Sequence, residues 1–123
     1  MVGGHNILYQ AAETNTLSIV DPGNAGTIAV DRNGGECSIV TGGAETRRIG
    51  SPERAGIMLH LSLKSDGGNA TVTGKGSETF NSGGTEHTTI TMDTAGDAIS
   101  LVSIAHGSGF QWSVLASNGN SLS

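Results

Sequence analysis

Aromatic residues are almost missing from this chain of 123 residues: Tyr9, Phe80, Phe110 and Trp112 are the full set. Charged residues are scarce as well, 14% of the sequence against roughly a quarter in ordinary soluble domains. Their balance is acidic, with six Lys and Arg against eleven Asp and Glu and a net charge of −5. The only adjacent basic pair is Arg47-Arg48. That is too little of the clustered positive charge on which phosphate-backbone affinity rests, so no nucleic-acid partner is expected. Cysteine occurs once, at Cys37, which leaves no disulfide framework and no thiolate metal cage. Its expected role is that of a small apolar residue in a strand, and a reducing compartment is compatible with it. No apolar run approaches the ~20 residues of a membrane span. The start Met1-Val2-Gly3-Gly4-His5-Asn6 has neither the basic nor the apolar part of a signal peptide. Membrane insertion and conventional secretion are therefore not expected.

Helical periodicity is nearly absent, and alternation with period two takes its place. In Ile57-Met58-Leu59-His60-Leu61-Ser62-Leu63-Lys64 the apolar residues Ile57, Leu59, Leu61 and Leu63 fall on one face, the pattern of a half-buried strand. Shorter runs repeat it at Ile28 and Val30, Cys37 and Ile39, Ala70 and Val72, Ile90 and Met92, and Phe110, Trp112 and Val114. Between Asp97 and Ala105 the apolar set passes from Ile99 and Leu101 to Val102 and Ile104, which points to a β-bulge or to burial on both faces. Gly, Ser, Thr and Asn together supply 55 residues, and against the alternation they form the turn inventory and solvent face of a β domain. Gly34-Gly35, Gly42-Gly43, Gly67-Gly68 and Gly83-Gly84 separate apolar runs, and Asp21-Pro22-Gly23-Asn24 is a further turn signal. Only Ser51–Gly56 has room for a helical turn. The expected fold is all-β, an antiparallel β-sandwich or jelly roll of about seven to nine short strands. Residues 25–123 form the sandwich domain, and residues 1–24 supply an extended N-terminal arm and a first strand. The apolar cluster Ile7, Leu8 and Tyr9 is open to two readings: part of a frayed terminus, or an anchor that docks on a partner subunit.

No catalytic constellation is found. His5, His60, His87 and His106 show no HxH, HxxxH or HExxH spacing, so no metal site and no cofactor are expected. His60 projects opposite the leucines, as a surface or interface residue. There is no GxSxG elbow, and Cys37 has no histidine close to it in sequence. Asp93 and Asp97 flank Thr94-Ala95-Gly96, where carboxylates more often cap backbone amides than move protons. The segment Gly68–Lys75 imitates a phosphate loop, but its glycines are too far apart and Gly76 stands where Ser or Thr is required. It is expected to be a strand ending in a turn. Asn69-Ala70-Thr71 matches a glycosylation sequon that is idle without secretion. Trp112 is a core filler before it is a sugar-stacking platform, since it shares a face with Phe110 and Val114. A core this sparse gains stability by burying further surface between subunits, and closed symmetry is the usual form of self-association.

From Arg47 onward the motifs fall in an order that resembles the small β-sandwich decoration (cement) proteins of tailed-bacteriophage capsids. The order runs Arg47-Arg48-Ile49, Ser51-Pro52 and Ala55-Gly56, Asp66 to Gly74, Phe80-Asn81, Thr88 to Asp93, Ala95 to Val102, Trp112 to Leu115, and Asn118 to Ser123. The first 46 residues lie outside the resemblance. It implies a structural virion protein, not an enzyme. Such a protein is a homotrimer bound to the outer capsid surface near threefold or quasi-threefold axes, made in the host cytoplasm. It bridges subunits of the major capsid protein and stabilises the shell. Ile7, Leu8 and Tyr9 are then the candidate partner-binding residues of the arm. An acidic surface suits an outer decoration that stays soluble and avoids the packaged genome. The alternative is a phage tail-fibre or lectin-like carbohydrate-binding module, with a sugar stacked on Trp112 or Tyr9. A small hydrolase on a jelly roll is a third reading, one that the histidine spacing opposes.

Overall fold

Twelve strands and no helix form the body of the computed structural model, which describes residues 17–31 and 33–123. In chain order they are β1 (Ser18–Ile19), β2 (Gly26–Thr27), β3 (Gly35–Thr41), β4 (Glu45–Ile49), β5 (Met58–Asp66), β6 (Ala70–Gly74), β7 (Phe80–Ser82), β8 (Thr85–His87), β9 (Thr89–Met92), β10 (Ala98–His106), β11 (Gly109–Asn118) and β12 (Ser121–Leu122). They make a seven-stranded sheet in the order β1-β3-β5-β10-β11-β7-β8 and a five-stranded sheet in the order β12-β9-β6-β4-β2. The Ser51–Gly56 stretch makes bends and a turn, not a helical turn.

Pairing departs from the antiparallel expectation in the first half of the chain. From β1 to β6 each strand lies in the opposite sheet from the one before it. The chain therefore winds, and same-sheet neighbours run in the same direction: β1 with β3, β3 with β5, β2 with β4, and β4 with β6. The reason lies in the turns. Gly42-Gly43 and Gly67-Gly68 do not reverse the chain within a sheet; they carry it from one sheet to the other. These two corners stack. Gly67 N donates to Thr41 O (2.9 Å), Thr41 Oγ1 donates to Gly68 O (2.7 Å), and Glu45 N donates to Asn69 O (3.0 Å). Side chains at Gly67 and Gly68 would collide with the backbone of Thr41, Gly42 and Gly43, so the glycines permit the approach. The first corner joins the stack through Ala25 N to Thr46 O (2.7 Å) and Thr46 N to Asn24 Oδ1 (3.0 Å).

The second half closes both sheets mostly with antiparallel strands, β9 on β6, β10 on β5 and β11 on β10, while β7 runs parallel to β11. Here one glycine pair does make a hairpin. Gly83 and Gly84 both have positive φ, at 60° and 92°, as a two-residue loop between β7 and β8 demands. The phase change read at Ile99–Ile104 resolves without a slip in β10, whose inward residues remain Ile99, Leu101 and Ser103. The register instead shifts on the partner, where Ser100 pairs with Ala116 and Leu101 with Val114.

Inward residues of both sheets join one hydrophobic cluster. Cys37, Ile39, Leu59, Leu61, Leu63, Ile99, Leu101, Phe80 and Trp112 enter it from one sheet, and Ile49, Ala70, Val72, Ile90 and Met92 from the other. Trp112 and Phe80, both fully buried in it, are cross-strand partners. The indole Nε1 of Trp112 donates to Gly50 O (2.9 Å), so the polar end of the largest side chain is satisfied where it is buried.

Candidate functional site

Alternation along β3, β5 and β10 sends the outward side chains of three adjacent strands to one face of the seven-stranded sheet. Register aligns Glu36, His60 and Ser100 in one row, and Ser38, Ser62 and Ala98 in the next. His60 Nδ1 and Ser100 Oγ share a hydrogen bond of 2.7 Å. The Glu36 carboxylate accepts from Ser38 Oγ (2.9 and 3.0 Å) and from Ser62 Oγ (3.0 Å). Serine, histidine and a carboxylate thus stand side by side, yet the carboxylate orients two other serines and not the imidazole. Acyl transfer needs the base oriented by a third group and donors aimed at a developing oxyanion. This row offers neither on its flat strand face. What it offers is a strip of half-buried hydroxyl, imidazole and carboxylate groups, bordered by the paired Met58 and Val102 and by the exposed Ile104.

At the β1 edge of the same sheet the surface becomes apolar. Leu17, Ser18, Ile19, Val20, Ala29, Asp31 and Gly34 line a cavity of about 270 Å³. Val20 is 84% exposed and Val40, on the neighbouring β3, is 48% exposed. Leu17 is the first described residue of this stretch. The sequence-derived candidates Ile7, Leu8 and Tyr9 lie outside the described residues.

Beneath this edge sits a group that sequence reasoning dismissed. Arg47 is fully buried. Its Nε meets Asp21 Oδ1 at 2.6 Å, Nη2 meets Asp21 Oδ2 at 3.1 Å, and Nη1 meets Glu45 Oε1 at 2.9 Å. The remaining donor capacity goes to Val40 O (3.1 Å) and Thr46 O (3.2 Å). Burial by itself would raise the Asp21 carboxyl. The bonds from Arg47, then from the Val40 and Gly23 amides, outweigh it and hold Asp21 below its ordinary value. The Gly42 N–H, followed by Arg47, lowers Glu45 in the same way. The first winding of the chain, residues 17–28, is thereby fastened to β4. The clue in the sequence was spacing: Glu45, Arg47 and Ile49 alternate onto one face, which places a charge on an inward position.

The other candidates find local roles. Asp97 Oδ2 accepts from Asp93 N (3.0 Å) and Thr94 N (3.1 Å), the amide capping expected of it. Cys37 is buried, and desolvation, with the Asp21 and Glu36 charges behind it, pushes its thiol up to about 11. Trp112 is fully buried and is no sugar platform, while Phe110 on the same face is 37% exposed. Gln111, also buried, donates from Nε2 to Thr79 Oγ1 (2.9 Å) and Glu86 Oε1 (3.2 Å). Among the described residues no group of three His, Cys, Asp or Glu is placed to hold a metal ion. No protein-family model matches the chain, and no curated protein matches it.

Proposed function

We propose that this protein is a structural virion component, a homotrimeric capsid decoration protein rather than an enzyme. It binds the outer capsid surface near threefold or quasi-threefold axes and stabilises the shell by bridging subunits of the major capsid protein. Its two sheets form a β-sandwich of the decoration-protein kind, and Ile7, Leu8 and Tyr9 contact the partner. The observation that carries the reading is the apolar edge at β1, where the exposed Leu17 and Val20 line a cavity and Val40 is exposed on the neighbouring β3. Exposed apolar surface of this sort marks an interaction site more often than a solvated one. The ordered motifs from Arg47 to Ser123 support it, and parts of them fall on β4, β6, β7, β9, β10, β11 and β12. The net charge of −5 suits an exterior surface that does not bind packaged nucleic acid.

Native mass measurement of the full chain tests the assembly, with a trimer expected; a monomer overturns it. Co-sedimentation with expanded phage capsids tests the role, with saturable binding expected from the full chain. A variant lacking residues 1–16 keeps the Asp21–Arg47 fastening, so it is expected to fold and yet bind weakly. Complete decoration by that variant removes Ile7, Leu8 and Tyr9 from the interface.

A further inference from the structure

Two Asn-Gly pairs occur in the chain, Asn33-Gly34 and Asn118-Gly119, and the structure treats them differently. In such a pair the glycine nitrogen can attack the asparagine side-chain carbonyl, because no Cβ on the following residue obstructs the approach. The attack needs a glycine N–H that is free and a local chain that can move. Gly34 has neither. It is buried, a Cβ added there would strike Met58 O, and its N–H donates to Asp31 O at 3.2 Å. Asn118 and Gly119 are both exposed, and Gly119 lies outside β11 and β12 with a φ of +82°. Among the described residues neither the Asn118 amide nor the Gly119 N–H takes part in a hydrogen bond beyond the β11 ladder.

We infer that Asn118 is a site of spontaneous deamidation, and that its conversion to isoaspartate releases β12. Gly119 N loses its proton to solvent base and bonds to Asn118 Cγ. The Cγ–Nδ2 bond breaks, and the nitrogen leaves as ammonia after taking up a proton. Water then opens the resulting succinimide at one of its two carbonyls, giving aspartate or isoaspartate. Water enters, ammonia leaves and no electrons are exchanged. Isoaspartate routes the main chain through Cβ and so lengthens the link between β11 and β12.

That link sets the register of a very short strand. Downstream of it, Asn120 accepts from Ser117 Oγ (2.7 Å) and donates through Nδ2 to Ala98 O. Ser121 and Leu122 pair with Thr91 and Ile90, and Ser123 exchanges bonds with Thr88 and Thr89 at 2.8 to 3.0 Å. The added length acts against β12, which covers the edge of β9.

The folded full chain is incubated at mildly alkaline pH and then mapped by peptide mass spectrometry. The amide-to-acid mass gain is expected first on the peptide carrying Asn118. Asn33 is expected to convert about tenfold more slowly, because one hydrogen bond must open before attack. Conversion of Asn33 first, or no conversion at Asn118 while the urea-unfolded chain converts, overturns the site. Hydrogen exchange of Thr88, Thr89 and Ser123 amides reads the consequence. Aged protein is expected to lose protection there, and aged Asn118→Gln is expected to keep it. Equal protection in both overturns the release of β12.

Discussion

Arg47 has no exposed side-chain surface and spends its guanidinium on two carboxylates and two carbonyls. Replacing a buried, bonded charge is costly because the partners are left unpaired. Arg47→Ala is therefore expected to lose about 3 kcal/mol of stability, read as a lower urea midpoint with an unchanged slope. The carboxylate side of this cluster responds to acid. Asp21 and Glu45 have folded pKa values below their ordinary 3.8 and 4.5, so the unfolded chain binds protons first. Their contribution is complete above those ordinary values, and it is lost as the pH falls through the lower, folded ones. In urea titrations from pH 6 to pH 2, Asp21→Asn is expected to be less stable than the parent at pH 6 and to show a shallower acid loss. Parallel curves would detach Asp21 from that loss. At this scale the sequence was legible for residues with one dominant preference: Cys37, the leucines of β5 and the capping Asp97 behave as their types and spacing suggest. Arg47 is missed when it is weighed only with its neighbour Arg48 and not through its alternation with Ile49, which marks it as the inward one of the pair.

Strand existence was legible wherever alternation is strong, and β5 follows the spacing read from Ile57 to Lys64. Strand direction was not. A Gly-Gly pair reports that the chain turns without reporting whether it returns within its sheet or crosses to the facing one. Gly83-Gly84 does the first and Gly42-Gly43 the second. The corner stack separates glycines that are needed from glycines that are only tolerated. At Gly67 an added Cβ would strike Thr41 O, whereas at Gly43 it would meet nothing within 4 Å. Gly67→Ala is expected to cost about 1–3 kcal/mol through forced backbone shifts. Gly43→Ala is expected to be neutral or to stabilise by less than about 1 kcal/mol, by restricting the unfolded chain. Thermal melts of the two variants check the contrast, and equal losses would remove the stack as its cause. The first strand expected within residues 1–24 is only the two residues of β1, and the two-residue strands β2 and β12 escaped sequence reading because so short a segment has no period to detect.

For the whole molecule, the pairing of β5 with β10 and of β7 with β11 joins distant parts of the chain across a core shared by both sheets. The two sheets are thus expected to unfold together. Trp112 reports on this directly, since its indole is buried and bonded to Gly50 O. Its fluorescence is expected to be blue-shifted in the folded state and to change at the same urea concentration as the far-ultraviolet β signal. Separate midpoints would divide the molecule into independently stable halves. The alternation and the turn signals indicated the all-β class, but they carried no information about the winding, which depends on where each corner sends the next strand. The winding also limits how a chain of this kind can change over generations. Gain or loss of one complete circuit, from Ile19 to its ladder partner Cys37 or from Cys37 to Leu61, adds or removes a strand in both sheets at once and leaves the second half of the chain in place. Gain of a single strand would send every later strand to the wrong sheet and turn its apolar face outward. Length variation among descendants of such a chain should therefore come in whole circuits or in changes of corner length, and half-circuits should be rare.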